Sequence, residues 1–113
     1  MFLSSARRTF FSLCDLRIGR IVSCLPHPES ENLYISQIDI GSEERQILSG
    51  LQKHVSLDQM TGEVIVFANL KKRKLAGVES FGMVLCTSDE GSIKMLRPNG
   101  EIGSRLIIKG DES

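Results

Sequence analysis

The chain has 113 residues, which is enough for one small domain, and 41% of them are hydrophobic, which is enough for an ordered core. Lys and Arg together number 14, as do Asp and Glu, so the formal net charge is zero. No apolar run approaches the roughly 20 residues that a membrane-spanning helix requires. A sequence pI of about 6.7 does not by itself suggest a nucleic-acid-binding domain, because such domains often have a pI above about 9.

The first 14 residues contain Arg7 and Arg8 and no acidic residue. Apolar residues recur there at spacings of three and four, a pattern typical of a short amphipathic helix: Leu3, Ala6, Phe10 and Leu13. Two interpretations compete, an organellar targeting peptide and a structural arm that packs on the domain or on a second copy. The first predicted strand begins at Leu16, which leaves almost no spacer for cleavage and therefore favours the arm.

From Leu16 onward the pattern indicates short strands separated by turns. The first strand is predicted over Leu16–Leu25, with Gly19 as a bend or bulge. Apolar residues alternate over Leu33–Ile40, but the phase changes, which predicts a β-bulge near Ser36–Gln37. A third short strand is predicted over Arg45–Ser49.

One helix is predicted between the third and fourth strands. Ser56 and Gln59 have the spacing of a capping box, Val55 and Met60 have the spacing of a hydrophobic staple, and Gly62 is a natural stop. These signals predict a helix of one or two turns.

Later strands follow from two continuous apolar runs, Val64–Phe67 and Met83–Cys86, and from Ile93–Leu96 and Leu106–Lys109. Short strands at regular spacing, with one short helix between the third and fourth, favour an all-β barrel over a sandwich. The five-stranded oligonucleotide/oligosaccharide-binding (OB) barrel has its helix at this position.

Four consecutive cations, Lys71, Lys72, Arg73 and Lys74, directly follow an apolar strand and are expected on a loop at the barrel rim. We call residues 71–74 the basic stretch. No acid lies within four residues on either side, so these charges repel one another, and a polyanion such as a phosphate backbone would stabilise them. The alternative is a solvated basic loop without a ligand.

The next segment contains two glycines five residues apart, Gly77 and Gly82, which permit a tight turn or a close backbone approach. Between them, Ser80 offers a hydroxyl to a phosphate or a 2′-OH, or is simply a turn serine. Met83 heads an apolar run and is a core residue on pattern alone, although it could also contact an unstacked base.

The charge is distributed unevenly along the chain. Residues 1–20 hold four cations and one acid, residues 21–68 two cations and seven acids, residues 69–88 four cations and one acid, and residues 89–113 four cations and five acids. Such a chain can bind a polyanion on one side and repel it elsewhere, which helps to set its orientation.

The sequence argues against catalysis, a metal site and a cofactor. The three cysteines, Cys14, Cys24 and Cys86, are widely spaced without a CxxC motif, which indicates a reducing compartment and no zinc site. Cys24 and Cys86 are expected to pack as small core residues. No GxSxG, P-loop or GxGxxG motif is present, and His27, placed between two prolines, is expected to be a turn residue.

Several motifs in order carry a family resemblance from about Asp15 to Ile108. They are Asp15-Leu16-Arg17-Ile18-Gly19, His27-Pro28 followed by Leu33-Tyr34, Ser49-Gly50-Leu51, Asn69-Leu70-Lys71, and Gly77-Val78-Glu79-Ser80 running into Gly82-Met83. The chain resembles the tRNA-binding domain found in endothelial monocyte-activating polypeptide II, at the C-terminus of many methionyl-tRNA synthetases, and in stand-alone tRNA-binding proteins.

The resemblance implies an OB barrel over residues 15–113, preceded by an arm over residues 1–14, that binds tRNA by shape and backbone. It also implies a non-catalytic, cytoplasmic module that recruits tRNA to an aminoacyl-tRNA synthetase, in the first place the methionyl enzyme. Two forms of this module are expected equally: a homodimer like the stand-alone proteins, or one piece of a larger synthetase or synthetase-associated chain. The alternative is a cytokine-like or chaperone-like protein-interaction module. Together, the resemblance and the charge pattern predict these tRNA-binding residues: Asn69, Lys71, Lys72, Arg73, Lys74, Ser80 and Met83. Lys72 stands where the family usually has proline, which adds a charge and removes a fixed φ angle, so we expect a loop that is more mobile before binding.

Overall fold

The computed structural model describes residues 14–107, so the predicted arm, apart from Cys14, and the end of the last predicted strand lie outside the described residues. Within residues 14–107 the helical structure is too short and too polar for any helix to cross a membrane.

The described residues form nine strands, most of them three to six residues long. In chain order they are β1 (Leu16–Pro26), β2 (Tyr34–Asp39), β3 (Glu44–Ser49), β4 (Gly62–Phe67), β5 (Arg73–Leu75), β6 (Val78–Ser80), β7 (Met83–Val84), β8 (Cys86–Asp89) and β9 (Ser92–Met95).

Five of these strands form one antiparallel sheet in the order β3-β2-β1-β4-β7. The two edge strands of the sheet, β3 and β7, approach each other. The amide of Phe81, just before β7, donates to the carbonyl oxygen of Gln46 in β3 at 2.8 Å. The sheet is therefore a nearly closed barrel, and the prediction of an all-β, five-stranded OB barrel is confirmed. The strand pairs β5-β6 and β8-β9 form separate hairpins.

The core fills the inside of this barrel with aliphatic side chains from its main strands. Ile38, Ile47, Val64 and Val66 are completely or almost completely buried. Each such side chain stabilises the fold by about 1.5–3 kcal/mol relative to an exposed position. Tyr34 is also buried, and its hydroxyl donates to the carbonyl oxygen of Val55 at 2.6 Å, so the polar end of the ring has a partner.

The β-bulge lies in β1 rather than in β2, so the prediction of a bulge near Ser36–Gln37 is wrong. The pairing of β1 with β2 shifts by one residue between Ile21 and Ser23, which makes Val22 the extra residue. The strand β2 keeps one phase along its length, because the polar Ser36 is buried whereas the apolar Ile35 is only partly buried.

The predicted helix is a single 3₁₀ turn, Leu57–Gln59. The Ser56 side chain makes no capping hydrogen bond, so the predicted capping box does not form. Val55 and Met60, the predicted staple, are both buried in the main core cluster. This apolar anchoring on either side, rather than a side-chain cap, holds the turn in place.

The apolar run Met83–Cys86 does not form one central strand. Its first two residues pair with β4 as β7, and Cys86 begins the β8-β9 hairpin. Met83 is 44% exposed and Cys86 is exposed, so the expectation that Cys86 packs in the core is wrong, whereas Cys24 is half-buried and packs against the core. The amide of Leu85 still donates to the carbonyl oxygen of Ile65 in β4 at 2.9 Å, but Cys86 pairs with Met95 instead, and a continuous apolar sequence cannot reveal that change of partner.

Gly19 lies in regular pairing with Val64 and not at a bend or bulge. A Cβ atom there would lie 2.7 Å from the Cγ2 of Ile38, which is fully buried, so the glycine is needed for close packing across β1.

We therefore expect Gly19→Ala to lower the free energy of unfolding by about 1–3 kcal/mol, because the added methyl group overpacks the core. Urea denaturation measures this change. Gly50→Ala is the matched control, because nothing lies within 4 Å of a Cβ at that position, and it should leave the midpoint unchanged or slightly raised. Equal midpoints for the two variants would contradict the packing role of Gly19.

Candidate nucleic-acid interface

The basic stretch runs into a β-hairpin instead of remaining in a loop. Arg73 and Lys74 belong to β5, which pairs with β6. The turn between these strands is Ala76-Gly77, with φ angles of +48° and +82°, the left-handed pair that two-residue hairpin turns favour. All four cations are exposed. Lys71 and Lys72 lie in the loop directly before β5, whereas Arg73 and Lys74 lie on a paired strand, so the expectation of a loop is wrong for the last two cations only.

The hairpin also brings an acid to the basic stretch. Lys74 pairs with Glu79 in register, and the Nζ of Lys72 lies 3.2 Å from the Oε2 of Glu79. Both side chains are largely exposed, and surface ion pairs of this kind contribute about 0–1 kcal/mol. Lys72 can therefore exchange Glu79 for a phosphate at small cost. The sequence did not reveal this pair, because Glu79 lies five residues beyond Lys74 and only the hairpin brings it back to the basic stretch.

Ser80 has only 4% of its surface exposed, and its hydroxyl is engaged inside the protein. Its Oγ accepts a hydrogen bond from the amide of Leu48 at 2.9 Å and donates one to the carbonyl oxygen of Gly82 at 3.1 Å. Ser80 thereby joins the end of the hairpin to β3. A Cβ at Gly82 would lie 2.8 Å from the carbonyl oxygen of Phe67, so this glycine allows a close backbone approach, one of the two roles expected for it.

Asn69 fastens the other end of the basic stretch. Its side-chain oxygen accepts a hydrogen bond from the amide of Asp15 at 3.0 Å, and the amide of Ala68 donates to the carbonyl oxygen of Asp15 at 2.7 Å. The chain between β4 and β5 is therefore tied to the beginning of β1.

Arg73, Ser80 and Met83 line one cleft of about 230 Å³ between β3, the hairpin and β7. Most of its other walls are apolar: Leu48, Leu51, Leu75 and Val84. The structure thus brings three of the seven predicted residues together, with Lys74 next to Arg73 in β5 and with Lys71 and Lys72 directly before that strand. Cys86 also lines the cleft, and partial desolvation raises the pKa of its thiol, which keeps it protonated at neutral pH.

Sequence reasoning missed a contact between His27 and the tip of the hairpin. His27 is 5% exposed, its Nε2 lies 3.0 Å from the carbonyl oxygen of Ala76, and its Nδ1 accepts a hydrogen bond from the amide of Glu29 at 2.9 Å. An amide N–H can only donate, so Nδ1 carries no proton, and Nε2 donates to Ala76. We call this pair of bonds the histidine clasp. His27 and Ala76 are 49 residues apart in the sequence, and the prolines on either side of His27 predict only a turn.

No group of three or more His, Cys, Asp and Glu side chains within residues 14–107 is arranged to hold a metal ion.

An OB barrel with four consecutive exposed cations, two in a hairpin strand and two directly before it, has the architecture of the oligonucleotide-binding class. Residues 16–104 match the family described as "Putative tRNA binding domain", and the chain belongs to this family.

Similar proteins include parts of longer chains. The sequence is 41% identical over 109 residues to the cytoplasmic tyrosine–tRNA ligase of Xenopus tropicalis, and the match covers 90% of this chain and 21% of the ligase. It is 42% identical over 101 residues to aminoacyl tRNA synthase complex-interacting multifunctional protein 1 of Cricetulus griseus, covering 86% of this chain and 28% of that protein.

The fold is shared with a solved structure of similar size. The crystal structure of a MetRS related protein from Pyrococcus horikoshii superimposes with a TM-score of 0.81 at 25% identity, covering 95% of this chain and 100% of that one.

We expect His27→Ala to lower the free energy of unfolding by about 1–3 kcal/mol, because it leaves the partners of the histidine clasp without hydrogen bonds. Amide hydrogen exchange should quicken in β5 and β6 more than in β1. Denaturation and exchange are both measurable on the unbound protein.

His54→Ala is the matched control, because His54 is exposed, and it should change the free energy of unfolding by less than about 0.5 kcal/mol. Unchanged exchange in the hairpin of the His27→Ala variant would show that the clasp does not hold it.

Proposed function

We propose that this chain binds tRNA on the β5-β6 hairpin and presents it to an aminoacyl-tRNA synthetase, without catalysing a reaction itself. The observation that carries the proposal is that all four side chains of the basic stretch are exposed, in β5 and directly before it, on a part of the chain that is fastened to the barrel at several points. Membership of the tRNA-binding family supports the identity of the polyanion.

The predicted binding residues have three different roles in this proposal. Lys71, Lys72, Arg73 and Lys74 contact phosphates, which positions the RNA without reading its sequence. Met83, at the mouth of the cleft, supplies an apolar contact. Two residues act by positioning the others, because each uses a side-chain oxygen within the protein: Asn69 and Ser80.

The energetic reason for binding is the repulsion among four adjacent cations. In the free protein, Glu79 offsets part of that repulsion through its ion pair with Lys72. A phosphate backbone neutralises the whole stretch and releases counterions, which makes binding favourable and strongly dependent on salt. Because the hairpin is already ordered, little conformational entropy is lost on binding.

The synthetase partner is proposed from the relatives. One is a tyrosine–tRNA ligase, one is named as interacting with a synthetase complex, and one solved structure is of a MetRS related protein. These names support a synthetase or its complex as the partner, and the methionyl enzyme is one candidate within that class. A cytoplasmic location agrees with the name of the ligase. The homodimer stays a prediction, because the arm expected to form it lies outside residues 14–107.

If the basic stretch contacts about four phosphates, the logarithm of the tRNA association constant should fall against the logarithm of salt concentration with a slope near −3. Replacing Lys71, Lys72, Arg73 and Lys74 together with alanine should abolish most of that slope. Filter binding or fluorescence anisotropy with total tRNA between about 50 and 200 mM salt measures it.

The double variant Lys53→Ala/Lys94→Ala is the control, because both lysines are exposed and lie outside the basic stretch. It should keep most of the slope. An unchanged slope in the fourfold variant would exclude this hairpin as the main phosphate contact.

We expect Glu79→Gln to tighten tRNA binding by about 2- to 5-fold, because it frees Lys72 from its ion pair and removes a negative charge beside the phosphates; surface pairs of this kind are worth up to about 1 kcal/mol. The same binding assay at low salt measures the gain. Glu31→Gln, at an exposed position in the turn between β1 and β2, should have a smaller effect. Weaker binding by the Glu79 variant would indicate that Glu79 orients Lys72 instead of competing for it.

A further inference from the structure

An exposed aromatic ring lies beside the basic stretch. Phe81 is 37% exposed, although Ser80 before it and Gly82 after it are buried. Its backbone is held on both sides, because its amide donates to the carbonyl oxygen of Gln46 at 2.8 Å and its carbonyl oxygen accepts from the Nη1 of Arg45 at 3.4 Å. The ring therefore projects from fixed backbone.

The position of Phe81 follows from the register of the hairpin. Arg73 pairs with Ser80, so Phe81 is the first residue beyond this pair. Phe81 also lines a hollow of about 510 Å³ together with Leu70, the residue directly before the basic stretch. An RNA backbone that follows the cations would therefore pass the edge of this hollow.

The charges around the hollow favour a base over a phosphate. Glu43 and Glu44 line it and would repel a phosphate. The Nε of Arg45 is paired with the Oε2 of Glu43 at 2.8 Å, which offsets much of its positive charge. The ring of a nucleobase is uncharged and flat, so it meets no such repulsion. Stacking of a base on an aromatic side chain contributes about 1–3 kcal/mol.

We propose that Phe81 and Leu70 form a subsite for one unpaired nucleobase of the bound RNA. This inference rests on the proposed function and deepens it. The phosphates stay on the basic stretch, while a base without a pairing partner turns into the hollow and stacks on the ring. The protein thus prefers RNA with unpaired nucleotides next to a helical segment over a continuous duplex, without preference for one base, since every base has a π face.

The chain contains no tryptophan, so Phe81→Trp introduces a single fluorescent reporter into the subsite. Titration with total tRNA, or with a short single-stranded RNA, should quench its emission, whereas a blunt-ended RNA duplex should leave the emission unchanged. Leu57→Trp is the control, because Leu57 is 46% exposed on the 3₁₀ turn and does not line the hollow; its emission should not respond to any of the three RNAs.

The affinity for tRNA provides an independent readout. Phe81→Ala should weaken binding by about 5- to 100-fold, as expected from the stacking energy, and Phe81→Leu should weaken it similarly. Phe81→Tyr should retain it. The salt slope should stay the same in all three variants, because no phosphate contact is lost. The unfolding midpoint of each variant checks that the fold is intact.

The outcomes separate the two proposals. If the wild-type chain does not bind tRNA, the proposed function is wrong. If it binds tRNA but Phe81→Ala binds equally well and the emission of Phe81→Trp does not change, the base subsite is wrong and the proposed function stands. If the emission maximum of Phe81→Trp shifts as the protein concentration is raised without RNA, the hollow binds a second copy of the chain, and the inference is overturned.

Discussion

The buried hydroxyl of Ser80 joins the basic hairpin to the barrel, and the arrangement of the whole interface depends on it. It accepts from the amide of Leu48 in β3 and donates to the carbonyl oxygen of Gly82 before β7. These bonds lie where the two ends of the sheet meet. Without that hydroxyl, two buried backbone groups would lose partners, at a cost of about 1–3 kcal/mol each. The same side chain therefore contributes both to the closure of the barrel and to the placement of the cations.

Three fastenings hold the cationic hairpin against the repulsion of its own charges. Ser80 holds its end, the histidine clasp holds its tip through Ala76, and Asn69 holds the chain that enters it. Each uses a side chain that bonds to backbone from a distant part of the sequence. A ligand-binding surface prepared in this way loses little conformational entropy when it binds. The flexibility expected from Lys72 in place of proline is accordingly reduced by tertiary contacts.

The predictions from sequence succeeded where burial follows a simple period. The apolar run of β4 and the cations after it were both evident, and the barrel followed from the spacing of the strands. The bulge was misplaced, because Ser36 is a polar residue inside the core and its neighbour Ile35 is half-buried outside it. The two-residue period assumes that the buried positions are apolar. Where a buried polar residue stands next to a partly exposed apolar one, as Ser36 and Ile35 do, the apparent phase shifts by one residue.

By itself, the sequence determined the fold class, the existence of a cationic cluster and the family to which the chain belongs, because these depend on local order and composition. Only the tertiary structure decided that the cluster runs into a hairpin whose Glu79 is ion-paired with Lys72, that His27 clasps the hairpin tip, and that Phe81 stays exposed beside it. Those facts arise from pairing register and from contacts between residues far apart in the chain. Such contacts leave no periodic signal in a single sequence, since their partners are specified by the packing of the barrel.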